Sequence, residues 1–262
     1  MVQPTQAEPG WTGPREAGQP TAYVGLDAFS VPMQGPGASQ AKHRMMYTAL
    51  LYTPDKKHTR YLVDFELDTL AAQVRALAGA CGVSDVKELV AITDGGNGLE
   101  EALQRHLADD VTTVLDWYHA AEHLCDFAAV WHARDEAARR AWARQAKDIL
   151  YEQGGEALLT HLQAVVLPAG TRADVREQLR DLIGYFENNR HRTDYPAYRS
   201  RGWDIGSGPT EAGCKVIGER LKGSGMRWAE DGAATVGALR AFYVSGPKLW
   251  DGFWAQPHRP AA

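Results

Sequence analysis

Residues 88–116 read ELVAITDGGNGLEEALQRHLADDVTTVLD, and this stretch decides the fold. Glu88–Thr93 (ELVAIT) is a short, continuous apolar run of the kind carried by strands buried on both faces. Asp94-Gly95-Gly96 closes it with turn chemistry. Leu99–Ala108 then takes helical spacing, and Val111–Leu115 (VTTVL) is a second buried strand, ended by Asp116. Strand, helix and strand in immediate succession predict a crossover unit, whose two strands run parallel.

Working outward towards the N-terminus, three further strands are expected. They are Thr21–Val31 (TAYVGLDAFSV), Arg44–Thr53 (RMMYTALLYT) and Thr59–Leu67 (TRYLVDFEL). Each is rich in β-branched or aromatic residues and bounded by turn formers, such as Pro54 and Asp55 after the second. Asp68–Cys81 switches to helical periodicity, with Leu70, Val74, Leu77 and Ala78 on one face. Asp68 is the expected N-cap and Gly82 the expected stop. An antiparallel meander joined to a parallel crossover gives a mixed α/β sheet.

Towards the C-terminus the strand signals vanish. From Tyr118 to about Asn188, Ala, Leu, Arg and Gln dominate with helical spacing. Arg199–Pro209 (RSRGWDIGSGP) reads as a glycine-rich loop. Pro209 suits the first turn of a helix running to about Lys222, stopped by Gly223 and Gly225. A last helix is expected over Asp231–Val244, followed by an aromatic, proline-bearing tail from Gly246. Residues 1–20, with four prolines and three glycines, read as a linker or a truncated entry into the fold.

Composition narrows the function classes. With 44% hydrophobic and 23% charged residues in a 262-residue chain, disordered and fibrous classes are excluded. No apolar run is long enough to span a bilayer, and the first residues lack the apolar core of a signal peptide. Cys81, Cys125 and Cys214 lie far apart with no CxxC pair, which points to reduced thiols and a cytoplasmic setting. The net charge of −5 argues against nucleic-acid binding by bulk charge. Locally the balance reverses: Arg199–Trp228 holds six basic against three acidic side chains.

Three carboxylates stand out by position. Asp27 interrupts the apolar run YVGLDAFSV, and a carboxylate there is costly unless it is paired or metal-bound. Asp94 would stand at the C-terminal edge of the sheet, where open α/β sheets place ligands. Glu211 falls one turn into the helix that starts at Pro209. Any one of these is more often a turn or edge residue than a ligand. Jointly they suit hard divalent cations, Mg²⁺ or Mn²⁺. Two such ions about 3.5–4 Å apart can clamp the attacking and leaving oxygens of a phosphodiester. The glycines of DGGNG match neither a dinucleotide nor a Walker loop, so a phosphate cradle there is weakly supported.

His119, Glu122 and His123 spell HxxEH, which is also an inverted zinc-peptidase motif. A zinc-dependent hydrolase is therefore the alternative, weakened by the lack of a downstream acidic ligand helix. Lys215, Arg220, Lys222 and Arg227 gather around Glu211 and suit a phosphate backbone as well as they suit a solvated helix face. Trp203 and Trp228 are either base-stacking platforms or, more often for such residues, core anchors.

The stretches YVGLDAFSVP, VAITDGGNGL, LDWYHAAEHL and IGSGPTEAGCKVIGERLKGSGMRW resemble the catalytic core of bacterial insertion-sequence transposases of the ISKra type, relatives of the Mutator-like transposases. The resemblance covers about Ala22 to Ser245. It implies an RNase H-like core over 21–117 and 201–245, an α-helical insertion over 118–200, and a tail over 246–262. It implies a DDE triad of Asp27, Asp94 and Glu211 holding two Mg²⁺ or Mn²⁺ ions, with His119 assisting. Asp116 and His119 match a D-x-x-H motif, and Asp116 is grouped with Trp203, Lys215, Arg220, Lys222, Arg227 and Trp228 as DNA-binding residues. The implied partner is DNA, as element ends and target, engaged by a homodimer in the bacterial cytoplasm at the nucleoid. The N-terminal DNA-binding region of the family has no counterpart here, so an inactive, DNA-binding remnant is a further alternative.

Overall fold

In the computed structural model, residues 21–35, 42–56, 58–81, 83, 88–96, 98–107 and 111–255 are described. The linker expectation for 1–20, the stop at Gly82, Asn97 of DGGNG and the last residues of the tail lie outside them. Five strands form one sheet: β1 (Thr21–Met33), β2 (Lys42–Tyr52), β3 (Thr59–Asp64), β4 (Glu88–Thr93) and β5 (Val111–Leu115). Their order is β3-β2-β1-β4-β5. The first three form the antiparallel meander, with Asp27 opposite Thr48 and Thr48 opposite Val63. β4 and β5 are reached through helices α1 (Leu67–Ala80) and α2 (Leu99–Leu107). This is the mixed α/β sheet with flanking helices expected of an RNase H-like core.

The chain divides into two compact units. The first comprises residues up to 91, 98–112 and 208 onward; the second comprises 92–97 and 113–207. The boundary therefore cuts through β4 after Ala91 and through β5 after Thr112.

In the first unit, the period of two along β1 sorts its side chains to two cores. Ala22, Val24 and Leu26 pack with Leu70, Val74 and Leu77 of α1 and with Leu99 and Leu103 of α2. Phe29, Val31 and Met33 pack on the other side with helices α8 (Gly208–Leu221) and α9 (Glu230–Val244), through Cys214, Ile217, Leu221 and Ala233. β1 outruns its expected end and carries on through Pro32 to Met33. Proline has no ladder donor to lose there, and its carbonyl accepts from the Trp228 amide at 3.1 Å.

The second unit is helical: α3 (Trp117–Trp131), α4 (Glu136–Gln153), α5 (Gly155–Gln163), α6 (Ala173–Asn189), a 3-10 turn (Arg190–Arg192) and α7 (Tyr195–Ser200). Leu124, Phe127, Leu150, Leu162 and Phe186 are fully or almost fully buried. Strand signals are absent from 117–200 because these residues pack along helical stripes, as the periodicity predicts.

Three details differ from expectation. Helix α1 is capped at Glu66, not Asp68. Asp68 instead lies in the first turn, where a carboxylate favours the helix dipole and binds Arg105 at 3.0 Å. α7 occupies the start of the segment read as a loop, capped by Asp194, whose side chain accepts from the Ala197 amide. The tail contains helix α10 (Pro247–Trp254), opened by Pro247 in its first turn.

Candidate functional site

The residues singled out in the sequence fall into both units, and each unit builds its share locally. In the first, β1 presents Gly25, Asp27 and Phe29 on the face that packs against α8. A side chain at Gly25 would place its Cβ 1.8 Å from Thr210 Oγ1. Only glycine lets the first turn of α8 come this close to the strand. One helical turn on, the Cys214 thiol faces the Asp27 carboxylate and the Thr48 hydroxyl. Burial first, and the Asp27 charge second, push that thiol well above its ordinary range, so Cys214 stays neutral. Further along, Lys222 lays its ammonium 4.9 Å from the ring centre of Phe29. α8 thus runs beside β1 with Glu211, adjacent to Thr210, exposed on its first turn.

Asp27 is half-buried, and its Oδ1 accepts from the following amide, Ala28, at 2.6 Å. Among the described residues no lysine or arginine forms an ion pair with it. A carboxylate held in a core strand without a cation is a poor structural element. It is a suitable hard oxygen donor for Mg²⁺ or Mn²⁺. Lys215, Arg220, Lys222 and Arg227 are exposed. Trp228 is half-buried; its indole donates to the Leu221 carbonyl at 2.9 Å, and its backbone bridges to Met33.

The second unit holds Asp94 in a turn. The Gly96 amide donates to Asp94 Oδ1 at 3.2 Å. Beneath that turn lies a buried arginine that the sequence did not flag. Arg192 donates to Thr93 Oγ1 at 2.8 Å, to the Asp94 carbonyl at 3.3 Å and to Asn189 Oδ1 at 2.5 Å and 2.9 Å. It ties the end of β4 to the end of α6. The Asp116 amide donates to the Thr93 carbonyl at 2.8 Å, so the ends of β4 and β5 are held side by side.

Asp116 and Trp203, both expected at DNA, are buried instead. Asp116 has no exposed surface. Its carboxylate caps α3 by accepting from the Tyr118 amide at 3.0 Å, and it accepts from the Ser207 amide at 3.2 Å and hydroxyl at 2.6 Å. These bonds tie the carboxylate into the fold. Trp203 stacks on Tyr198 at 5.7 Å, and its ring carries the Arg201 guanidinium at 4.9 Å. The ring, 5% exposed, packs among protein groups.

His119 is the exposed partner of the D-x-x-H pair, with Nε2 3.8 Å from Asp116 Oδ2 and Nδ1 3.9 Å from Glu122. His123 is exposed, with its ring centre 4.1 Å from that of Tyr185. Partial desolvation is the main cause that lowers its pKa, against the opposing charges of Asp126, Glu122 and Asp94. The two histidines of HxxEH thus have different neighbourhoods, one near the carboxylates of Asp116 and Glu122 and one against a phenol. Tyr185 is the second residue the sequence missed: it sits in a helix of ordinary periodicity, and nothing in its own segment marks it. Ser207 belongs to the IGSGP motif, so its signal was present but was read only as a loop.

A cavity of about 430 Å³ opens elsewhere in the first unit, lined among others by Tyr61, Leu77, Ala238 and Phe242. None of the acidic candidates borders it.

No protein-family model and no curated protein matches the chain. Among solved structures, the chain is similar to one in the Drosophila P element transposase strand transfer complex. The identity is 10% and the TM-score 0.43, over 88% of this chain and 78% of that one.

Proposed function

We propose that the chain is the catalytic core of a DDE-type DNA transposase that cuts and joins DNA strands. Asp27, Asp94 and Glu211 hold divalent ions, Mg²⁺ or Mn²⁺, two in number. The observation that carries this reading is Asp27: a carboxylate in a core strand, with no cationic partner among the described residues, facing the helix whose first turn carries Glu211. Support comes also from the motif strings around all three acids and from the anchoring of the Asp94 turn by Arg192.

The bound ions would supply Lewis acidity and a lowered pKa for coordinated water. The chain's own residues do the rest. Asp27 and Asp94 provide oxygen donors from the sheet, and Glu211 completes the set from the first turn of α8. His119, half-open to solvent, is placed to hold a phosphate oxygen or to accept a proton. Lys215, Arg220, Lys222 and Arg227 bind the phosphate backbone without reading sequence. Hydrolysis at an element end, and attack of the freed 3′-OH on target DNA, are both in-line displacements that need no covalent protein intermediate. DNA is the partner, bound as a homodimer across two ends in the bacterial cytoplasm.

Calorimetric titration of Mn²⁺ into the chain and into Glu211→Ala tests the assignment. The parent should bind, and the variant should bind about tenfold more weakly or worse. Equal binding by both would remove Glu211 from the metal set. Titration of Zn²⁺ into His123→Ala checks the HxxEH alternative, and on this reading that substitution leaves Zn²⁺ affinity unchanged.

A further inference from the structure

The second unit contains a buried hydroxyl without a hydrogen-bond partner beside the Asp94 turn. Tyr185 Oη has essentially no accessible surface and no partner among the described residues. A side chain at Gly95 would place its Cβ 2.4 Å from Tyr185 Cε2 and 2.6 Å from the hydroxyl oxygen. Glycine at position 95 therefore lets the phenol lie against the turn that presents Asp94. The ring also rests on His123, with ring centres 4.1 Å apart. The ring is thus packed against both the turn and His123, and its hydroxyl has no partner among the described residues. A buried donor with no acceptor is costly and calls for an explanation.

We propose that Tyr185 is a positioning residue, whose hydroxyl donates a hydrogen bond to the Asp94 carboxylate when the site is loaded with metal. This rests on the transposase reading above. In the free chain, Asp94 Oδ1 is turned towards the Gly96 amide. In the loaded site the phenol would hold the Asp94 carboxylate in one orientation. The donor is dependable: burial keeps the Tyr185 proton in place far above neutral pH, with the charges of Asp94 and Asp116 acting in the same direction and Arg192 against them. Outer hydrogen bonds of this kind orient ligating carboxylates, and their loss commonly costs about 10–100-fold in metal affinity or activity.

Tyr185→Phe removes the hydroxyl and keeps the ring. Three quantities are measured on the full chain and on this variant: Mn²⁺ affinity by calorimetry, Mn²⁺-dependent nicking of supercoiled plasmid split into kcat and KM, and the melting temperature. The inference predicts Mn²⁺ binding and kcat lowered about 10–100-fold, KM for DNA unchanged, and a melting temperature equal to or above that of the parent. Equal Mn²⁺ affinity and equal kcat in the two proteins would overturn it. A parent that neither binds Mn²⁺ nor nicks DNA would overturn the transposase reading and this inference with it. A parent that does both, beside an unaffected variant, overturns the inference alone.

Discussion

At the scale of single residues, several side chains sit where ordinary folding would not choose them. Gly25 marks one such place. A Cβ there would collide with Thr210, so Gly25→Ala forces α8 off β1. An overpacking cost of about 1–3 kcal/mol is expected, read as a lowered midpoint in urea unfolding. Asp116 is another, wholly buried and committed to the Tyr118 amide and to Ser207. Asp116→Ala strands those buried donors and should cost about 2–3 kcal/mol in the same measurement. His123 gives a pH signature. Its folded-state pKa lies below that of the unfolded chain, chiefly through partial desolvation, so the unfolded state takes up a proton first as pH falls. Its contribution is present above about pH 6.5 and is lost as pH falls through that value towards the folded-state pKa. Unfolding midpoints measured from about pH 8 to pH 5 should therefore fall less steeply for His123→Phe than for the parent. At this scale the sequence was partly legible. Asp27 and Asp94 announced themselves because each breaks or ends an apolar run. Arg192 and Tyr185 did not, since each lies on a helical segment of normal pattern and acquires its role only from partners far away along the chain.

At the scale of elements, periodicity did most of the work. The alternation along β1 separates Val24 and Leu26 from Phe29 and Val31, and the two sets do enter different cores. The long helical block was visible because no segment of it alternates with period two. Boundaries were less legible, for identifiable reasons. Asp68 looks like a cap, yet its ion pair with Arg105 lies outside the reach of local pattern. Pro32 looks like a strand end, yet its missing donor costs nothing where the carbonyl meets Trp228. α10 was hidden because its aromatic residues cluster with one another and with Phe242 of α9, as Trp250 does with Trp254 and Phe242, and none of its residues is buried. The prediction that belongs to α8 concerns its exposed cations. Replacing Lys215 and Arg220 with alanine should weaken DNA binding uniformly across sequences. The slope of log affinity against log salt should become shallower by about one for each phosphate no longer neutralised. An unchanged slope would assign both side chains to a solvated helix face.

At the scale of the whole molecule, on the transposase reading, a chain with net charge −5 would attract a polyanion through a local surface, not its overall field. The six basic side chains between Arg199 and Trp228 give the local excess, and on the same reading the acidic positions would hold divalent ions that also screen phosphate repulsion. That arrangement would make DNA binding depend on both salt and divalent metal. The mixed sheet, an antiparallel meander followed by crossover strands, was inferable from strand count and connection type. How each unit supports its own acids was not, because the supports are tertiary: Cys214 and Thr48 around Asp27, and Arg192 and Tyr185 around Asp94. The most direct test is strand cleavage itself. Supercoiled plasmid is incubated with the chain and Mn²⁺, alongside Asp27→Asn and Asp94→Ala, and nicked product is quantified. The expected result is nicking by the parent that chelator abolishes and that both variants lose while remaining folded; nicking that persists undiminished in folded Asp94→Ala would contradict the transposase reading.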